Sequence, residues 1–140
     1  MKVYKFGGAS VKDANGVRNL HKIISNSNDN LVVVISAMGK TTNALELVVN
    51  SFFNHKSDTE ALLKKVVDYH ENIINDLFGA NRTEIDSHIN GLYEKINGIL
   101  SDKPSLSYDY EYDRIVSFGE LISTTIVACY LKYQGLNADW

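Results

Sequence analysis

The sequence predicts an α/β protein: a parallel sheet with flanking helices and an inserted helical hairpin. Three observations carry that expectation. Met1–Phe6 and Leu31–Ile35 are short, apolar and rich in β-branched or aromatic residues, as strands are. Between them Ala14, Val17, Leu20, Ile23 and Ile24 recur at helical spacing, so the order is strand, helix, strand, with a right-handed crossover. Further along, long apolar stripes of helical period fill most of the remaining chain.

Taken in order, Val3, Tyr4 and Phe6 make the first strand, and Gly7-Gly8 then frees the backbone to bend. Ser10 to Asp13 has capping-box spacing and predicts a helix opening there. The polar cluster Ser25–Asn30 closes that helix. Leu31–Ile35 reads as a central strand covered on both faces. A loop over Ser36–Thr42 leads to a helix near Asn43–Phe53. Ser57 with Glu60 offers a second capping box for the stripe Leu62, Leu63, Val66, Val67, Ile73, Ile74, Leu77 and Phe78, which Gly79 stops. Ile85, Ile89, Leu92, Tyr93, Ile96 and Ile99 form the next stripe, ending before Pro104, and the pair reads as an antiparallel hairpin. Tyr108 to Asp113 alternates tyrosines with acids and reads as the polar opening of a helix. Leu121–Tyr133 is a further apolar helix with Gly135 as its stop, and Asn137–Trp140 reads as the start of a strand. Two strands and a stub leave sheet edges unpaired, so residues 1–140 are expected to be the N-terminal part of a longer protein.

Composition narrows the function. Fourteen basic against seventeen acidic residues, with no basic cluster among aromatics, argue against a nucleic-acid partner. No unbroken apolar run approaches the roughly 20 residues of a membrane helix, and no apolar signal segment follows Lys2 and Lys5, so a cytoplasmic protein without a membrane partner is expected. Cys129 is the sole cysteine and reads as a small buried hydrophobe. His21, His55, His70 and His88 show no pairing at i, i+3 or i, i+4, so no metal site is expected.

The chemistry gathers in three loops. Gly39-Lys40-Thr41 suggests a P-loop, but the position requiring its first glycine holds Val34, inside a strand. Lys5–Ser10 likewise lacks the G-x-G-x-x-G of dinucleotide folds. What remains is Lys5 beside Gly7-Gly8, a cation and free backbone donors suited to a phosphate. Ser36, Thr41, Thr42 and Asn43 offer hydroxyls and an amide to a small polar substrate, and Glu120 offers a carboxylate to an ammonium group. Each has a plainer alternative: Ser117-x-x-Glu120 is itself a capping box, Thr42 and Asn43 can cap the next helix, and Lys5 can be a solvated strand-edge lysine.

Lys5-Phe6-Gly7-Gly8-Ala9-Ser10-Val11 resembles the K-F-G-G-T-S-V opening of aspartate kinases, with Ala9 in place of threonine. Val34–Met38 followed by Thr42-Asn43 resembles that family's second segment, and Ser117-Phe118-Gly119-Glu120 with Ser123 its third. The resemblance runs over essentially all 140 residues. It implies the N-terminal portion of the amino-acid kinase (carbamate kinase-like) fold. It also implies phosphorylation of the L-aspartate β-carboxylate to 4-phospho-L-aspartate by ATP with Mg2+, the first step of lysine, threonine and methionine biosynthesis. On that resemblance Lys5 is the catalytic cation, Gly7, Gly8, Ala9 and Ser10 form the phosphate loop, and Ser36, Thr42, Asn43 and Glu120 hold aspartate. A nucleotide-binding half and regulatory ACT domains, through which the parent would form a homo-oligomer, are expected beyond Trp140, leaving these residues inactive alone. Two alternatives stand beside this: an amino-acid-binding module or partner chain, and a kinase of the same fold acting on another amino acid.

Overall fold

The computed structural model describes residues 1–140 and shows two strands and six α-helices. They are β1 (Lys2–Phe6), α1 (Ala14–Ser25), β2 (Leu31–Ile35), α2 (Thr41–Phe53), α3 (Thr59–Phe78), α4 (Thr83–Ser101), α5 (Tyr108–Val116) and α6 (Phe118–Tyr133). A single 3-10 turn, Gly8–Val11, lies between β1 and α1. β1 and β2 pair in parallel with Lys2 opposite Leu31 and Phe6 opposite Ile35, so both strands end at the same level. That common end positions the loops described below.

One face of the sheet lies on the core through Phe6, Val33 and Ile35. The other is open, with Val3, Val32 and Val34 at 63%, 44% and 45% exposure. β2 is therefore covered on one face rather than the two its continuous apolar run suggests. Asn137–Trp140 forms no strand, so nothing extends the sheet.

Several helix starts differ from their sequence signals. α1 opens at Ala14, not Ser10, because Asp13 is extended and its Oδ1 accepts the Gly16 N–H at 2.8 Å. Ser57 and Glu60 form no capping box at α3. Asp58 holds the N-cap position there, with its carboxylate bound to Ser51 Oγ at 2.5 Å. α2 begins at Thr41, two residues ahead of expectation, and α6 at Phe118. Gly79 does end α3, at φ +56, where a side chain would be strained. The Tyr108–Asp113 alternation is the polar opening of α5, capped by Ser107, whose Oγ accepts the Tyr110 N–H.

The core draws on every helix, with Leu20, Met38, Ile74, Ile89, Ile96, Ile122 and Ile126 all essentially inaccessible. Burying each such side chain stabilises by roughly 1.5–3 kcal/mol. α3 and α4 follow each other through the Gly79 turn, α3 packing chiefly along α2 and α4 along α6. Arg82 clasps the turn, reaching Glu71 at 2.7 Å, Asp86 at 2.6 Å and Asn75. The stretch Tyr108–Tyr133 is long and apolar enough to cross a membrane by length and composition, yet 67% of an apolar 18-residue segment within it is buried inside the protein. Most of its apolar residues lie in the core.

Candidate active site

The parallel register delivers two loops side by side at the carboxyl ends of β1 and β2, where open α/β sheets bind ligands. The Ser36 N–H donates to Phe6 O at 3.1 Å and the Gly39 N–H to Gly8 O at 2.9 Å, so the loops are stitched together. A Cβ on Gly8 would stand 2.5 Å from Ala37 O, so only glycine lets them approach this closely. Gly7 differs: nothing lies within 4 Å of where its Cβ would be, and its backbone borders open space.

Among the loop and cap hydrogen bonds, none uses the N–H of Gly7, Gly8 or Ala9. These are the orphan donors that precede a helical turn. Ser10 is already engaged, its N–H donating to Gly7 O at 2.9 Å. Lys5 stands in register with Val34, is exposed, and takes part in none of the chain's ion pairs. A free cation and three unused donors therefore lie together at the end of β1.

The third wall comes from α6. Glu120 Oε1 accepts the Ala37 N–H at 3.3 Å, reaching across from α6 to the second loop. Ser117 makes no side-chain cap bond, its hydroxyl turning back to Arg114 O, so the capping-box alternative for Glu120 does not form. Gly119 permits the approach, since a Cβ there would meet Ala37 Cβ at 3.0 Å. Ser123 is fully buried and its hydroxyl donates to Glu120 O at 3.0 Å, which holds the first turn of α6 rather than a ligand.

Ser36 and Thr42 are half-buried and Asn43 is exposed, Thr42 and Asn43 lying in the first turn of α2. Neither caps that helix, because Lys40 occupies the N-cap without a side-chain bond. No hydrogen bond joins the side chains of Ser36, Thr42 or Asn43 to Glu120; what the fold brings directly together is Glu120, Ala37 and Gly8.

Two residues of α3 fix the second loop and carried no sequence signal beyond being polar beside an apolar stripe. Thr41 Oγ1 donates to Met38 O at 2.6 Å and lies 3.3 Å from His70 Nε2. His70 is fully inaccessible, and its Nδ1–H donates to Val66 O at 2.7 Å. That bond fixes the tautomer and leaves Nε2 unprotonated beside the Thr41 oxygen, whose one proton goes to Met38 O. Burial pulls the imidazole down to about 4, only partly opposed by its bond to Val66. Tyr69 donates its phenol to Lys12 O and packs over Gly39, whose φ of +55 requires glycine. Burial pushes that phenol above its ordinary range, with Asp13 adding to the effect.

With this geometry in view, the comparison with known proteins is decisive: the model of the amino acid kinase family matches residues 1–140. The chain belongs to the amino acid kinase family. Within it, the chain is 34% identical over 142 residues to aspartokinase 2, chloroplastic, of Arabidopsis thaliana, covering 97% of this chain and 25% of that protein. It is 26% identical to the bifunctional aspartokinase/homoserine dehydrogenase 2 of Escherichia coli (strain K12), covering 99% of this chain and 17% of that one. Among solved structures, E. coli aspartokinase III in complex with aspartate and ADP superposes with a TM-score of 0.86 at 25% identity, over 100% of this chain and 30% of that chain. The chain thus spans about a quarter of the length of the aspartokinase it matches at 34% identity. The amino-acid kinase fold expected from the three motifs is the fold observed.

Proposed function

We propose that this chain supplies the phosphate loop and much of the amino-acid pocket of an ATP-dependent kinase that phosphorylates the β-carboxylate of L-aspartate. The observation that supports this reading is that Glu120 reaches the loop after β2, which is stitched to the loop after β1 where the N–H groups of Gly7, Gly8 and Ala9 are unused. The similarity to an aspartokinase solved with aspartate and ADP supports the choice of substrates. In the reaction an oxygen of the aspartate β-carboxylate forms a bond to the γ-phosphorus of ATP. The bond from that phosphorus to the β–γ bridging oxygen breaks, giving 4-phospho-L-aspartate and ADP.

Such transfer is catalysed mainly by positioning and charge neutralisation. Lys5 neutralises charge on the transferring phosphoryl group, and the N–H groups of Gly7, Gly8 and Ala9 receive its oxygens. The Ser10 N–H, bonded to Gly7 O, closes the turn that aims them. The methyl of Ala9 contributes no hydroxyl, so this loop works through its backbone. Glu120 pairs with the substrate ammonium, while Ser36, Thr42 and Asn43 hold its carboxylates. No Asp or Glu stands in residues 5–10 or 36–43, so the two loops supply no carboxylate for a Mg2+ ion. We assign nucleotide binding and regulatory ACT domains, with oligomer formation, to a remainder of the catalytic protein outside residues 1–140, in a soluble compartment.

The test is a kinase assay on a protein joining this chain to a nucleotide-binding half. Lys5→Ala is expected to lower kcat by roughly 100-fold or more, and Glu120→Ala to raise the KM for aspartate with a smaller effect on kcat. The 140 residues alone are expected to turn over no ATP. Unchanged kcat in Lys5→Ala would remove the phosphate-loop assignment.

A further inference from the structure

We propose that Glu84, His88 and Cys129 form a zinc site with an open fourth position, on the face of the protein formed by α4 and α6. The carboxylate, imidazole and thiol donor atoms all lie within 4.8 Å of one another. Glu84 and His88 are four residues apart on α4 and so share one face of the helix. Cys129 comes from α6, the helix along which α4 packs. Glu84 and His88 are exposed and enter none of the chain's ion pairs, whereas nearby Arg82 and Asp86 are committed to one another. Cys129 is buried at 6% exposure, with its sulfur within 4.8 Å of the Glu84 and His88 donor atoms of α4.

Thiolate, imidazole and carboxylate together are a donor set suited to Zn2+, and three protein ligands with one free position is a recurring arrangement. The two anionic ligands balance the charge of the ion. With Zn–S near 2.3 Å and Zn–N near 2.0 Å, tetrahedral ligand atoms lie about 3.5 Å apart. Rotation of the two exposed side chains closes the remaining gap while the packed helices stay in place. On binding, the Cys129 S–H proton passes to solvent as the S–Zn bond forms, with no change in oxidation state. His88 and Cys129 also line a cavity of about 340 Å³ shared with Lys95, Lys132 and Trp140. It has room for a water or small anion at the fourth position, and the two lysines favour an anion. A search for histidine pairs misses this trio because its ligands are of three kinds and come from two helices. Cys129 lies nine residues along α6 from Glu120, about 13 Å, so the site is independent of the proposed kinase chemistry.

The test uses the untagged 140-residue chain, stripped with chelator and titrated with Zn2+ by calorimetry and with Co2+ by absorption. One Zn2+ per chain and a thiolate-to-Co2+ charge-transfer band are expected. His88→Ala and Glu84→Gln, both at exposed positions, are each expected to weaken Zn2+ binding at least tenfold, and Cys129→Ser to abolish the band. Because Cys129→Ser alters a buried position, the two exposed variants decide the matter if it fails to fold. Absence of stoichiometric Zn2+ binding overturns the proposal, as does undiminished affinity in His88→Ala and Glu84→Gln.

Discussion

Glu120 Oε1 accepts the backbone N–H of Ala37 at 3.3 Å, joining the first turn of α6 to the loop after β2 across 83 residues of chain. The bond settles the orientation of a carboxylate that the sequence leaves with two readings, and it holds the group at the carboxyl end of the sheet. Replacing Glu120 by alanine removes the acceptor and is expected to cost about 1 kcal/mol. Glu120→Gln keeps an acceptor oxygen and is expected to stay within about 0.5 kcal/mol of the unchanged chain. Urea denaturation of the three proteins checks both statements.

Gly7 and Gly8 are adjacent but serve different ends. Gly8→Ala places a methyl 2.5 Å from Ala37 O, which is backbone and cannot swing away. Forcing the loops apart is expected to cost about 1–3 kcal/mol. Gly7→Ala meets nothing within 4 Å at φ −74, so stability should hold or rise slightly while phosphate binding suffers. Thermal melts combined with a phosphate-binding measurement separate the two roles.

His70 gives the fold a pH dependence of definite sign. In the unfolded chain the imidazole takes up a proton near 6.5, whereas in the folded state burial holds it neutral down to about 4. Between these values the unfolded state binds more protons, so stability is full above about pH 6.5 and is lost as pH falls toward 4. The loss over that window is about 3 kcal/mol. Equilibrium unfolding across that range should show the slope in the unchanged chain and its disappearance in His70→Gln. An equal slope in both would place its origin elsewhere.

Arg82 is expected to hold the α3–α4 turn through charge. Its guanidinium is pushed above its ordinary value, chiefly by its bond to Asp86, with Glu71 adding and burial opposing. Arg82→Met keeps the apolar stem and loses the links to Glu71, Asp86 and Asn75, at a cost of about 1–2 kcal/mol. Denaturation at low and high salt checks this, the difference between the two proteins shrinking as salt rises.

Much of this was legible because apolar periodicity reports packing directly. Val17 and Leu20 on α1, Ile73, Ile74, Leu77 and Phe78 on α3, and Ile122, Ile126, Val127, Tyr130 and Leu131 on α6 face the core as their spacing requires. The strand pair followed from two short β-branched runs separated by a helix. Helix starts were less legible, since Ser10 and Ser57 have capping-box partners in sequence while the backbone places Asp13 and Asp58 at the caps, Ser117 sits at the α6 cap without making the side-chain bond, and Lys40 holds the α2 cap in place of Thr42 or Asn43. The open face of β2 was hidden for a related reason, because a continuous apolar run describes a strand's composition and not its neighbours. His70 and the Glu84–His88–Cys129 trio depend on contacts between helices far apart in sequence, which no local pattern encodes.

The reading of Glu120 as the group that recognises a substrate ammonium is tested most directly by amide NMR of the chain titrated with L-aspartate and, separately, with succinate. Succinate carries both carboxylates and lacks the ammonium. Shifts confined to Ser36–Asn43 and Gly119–Ser123 are expected, with succinate at least tenfold weaker and the difference abolished in Glu120→Ala. Equal affinity for the two ligands, or shifts that bypass these segments, would contradict an amino-acid pocket built around Glu120.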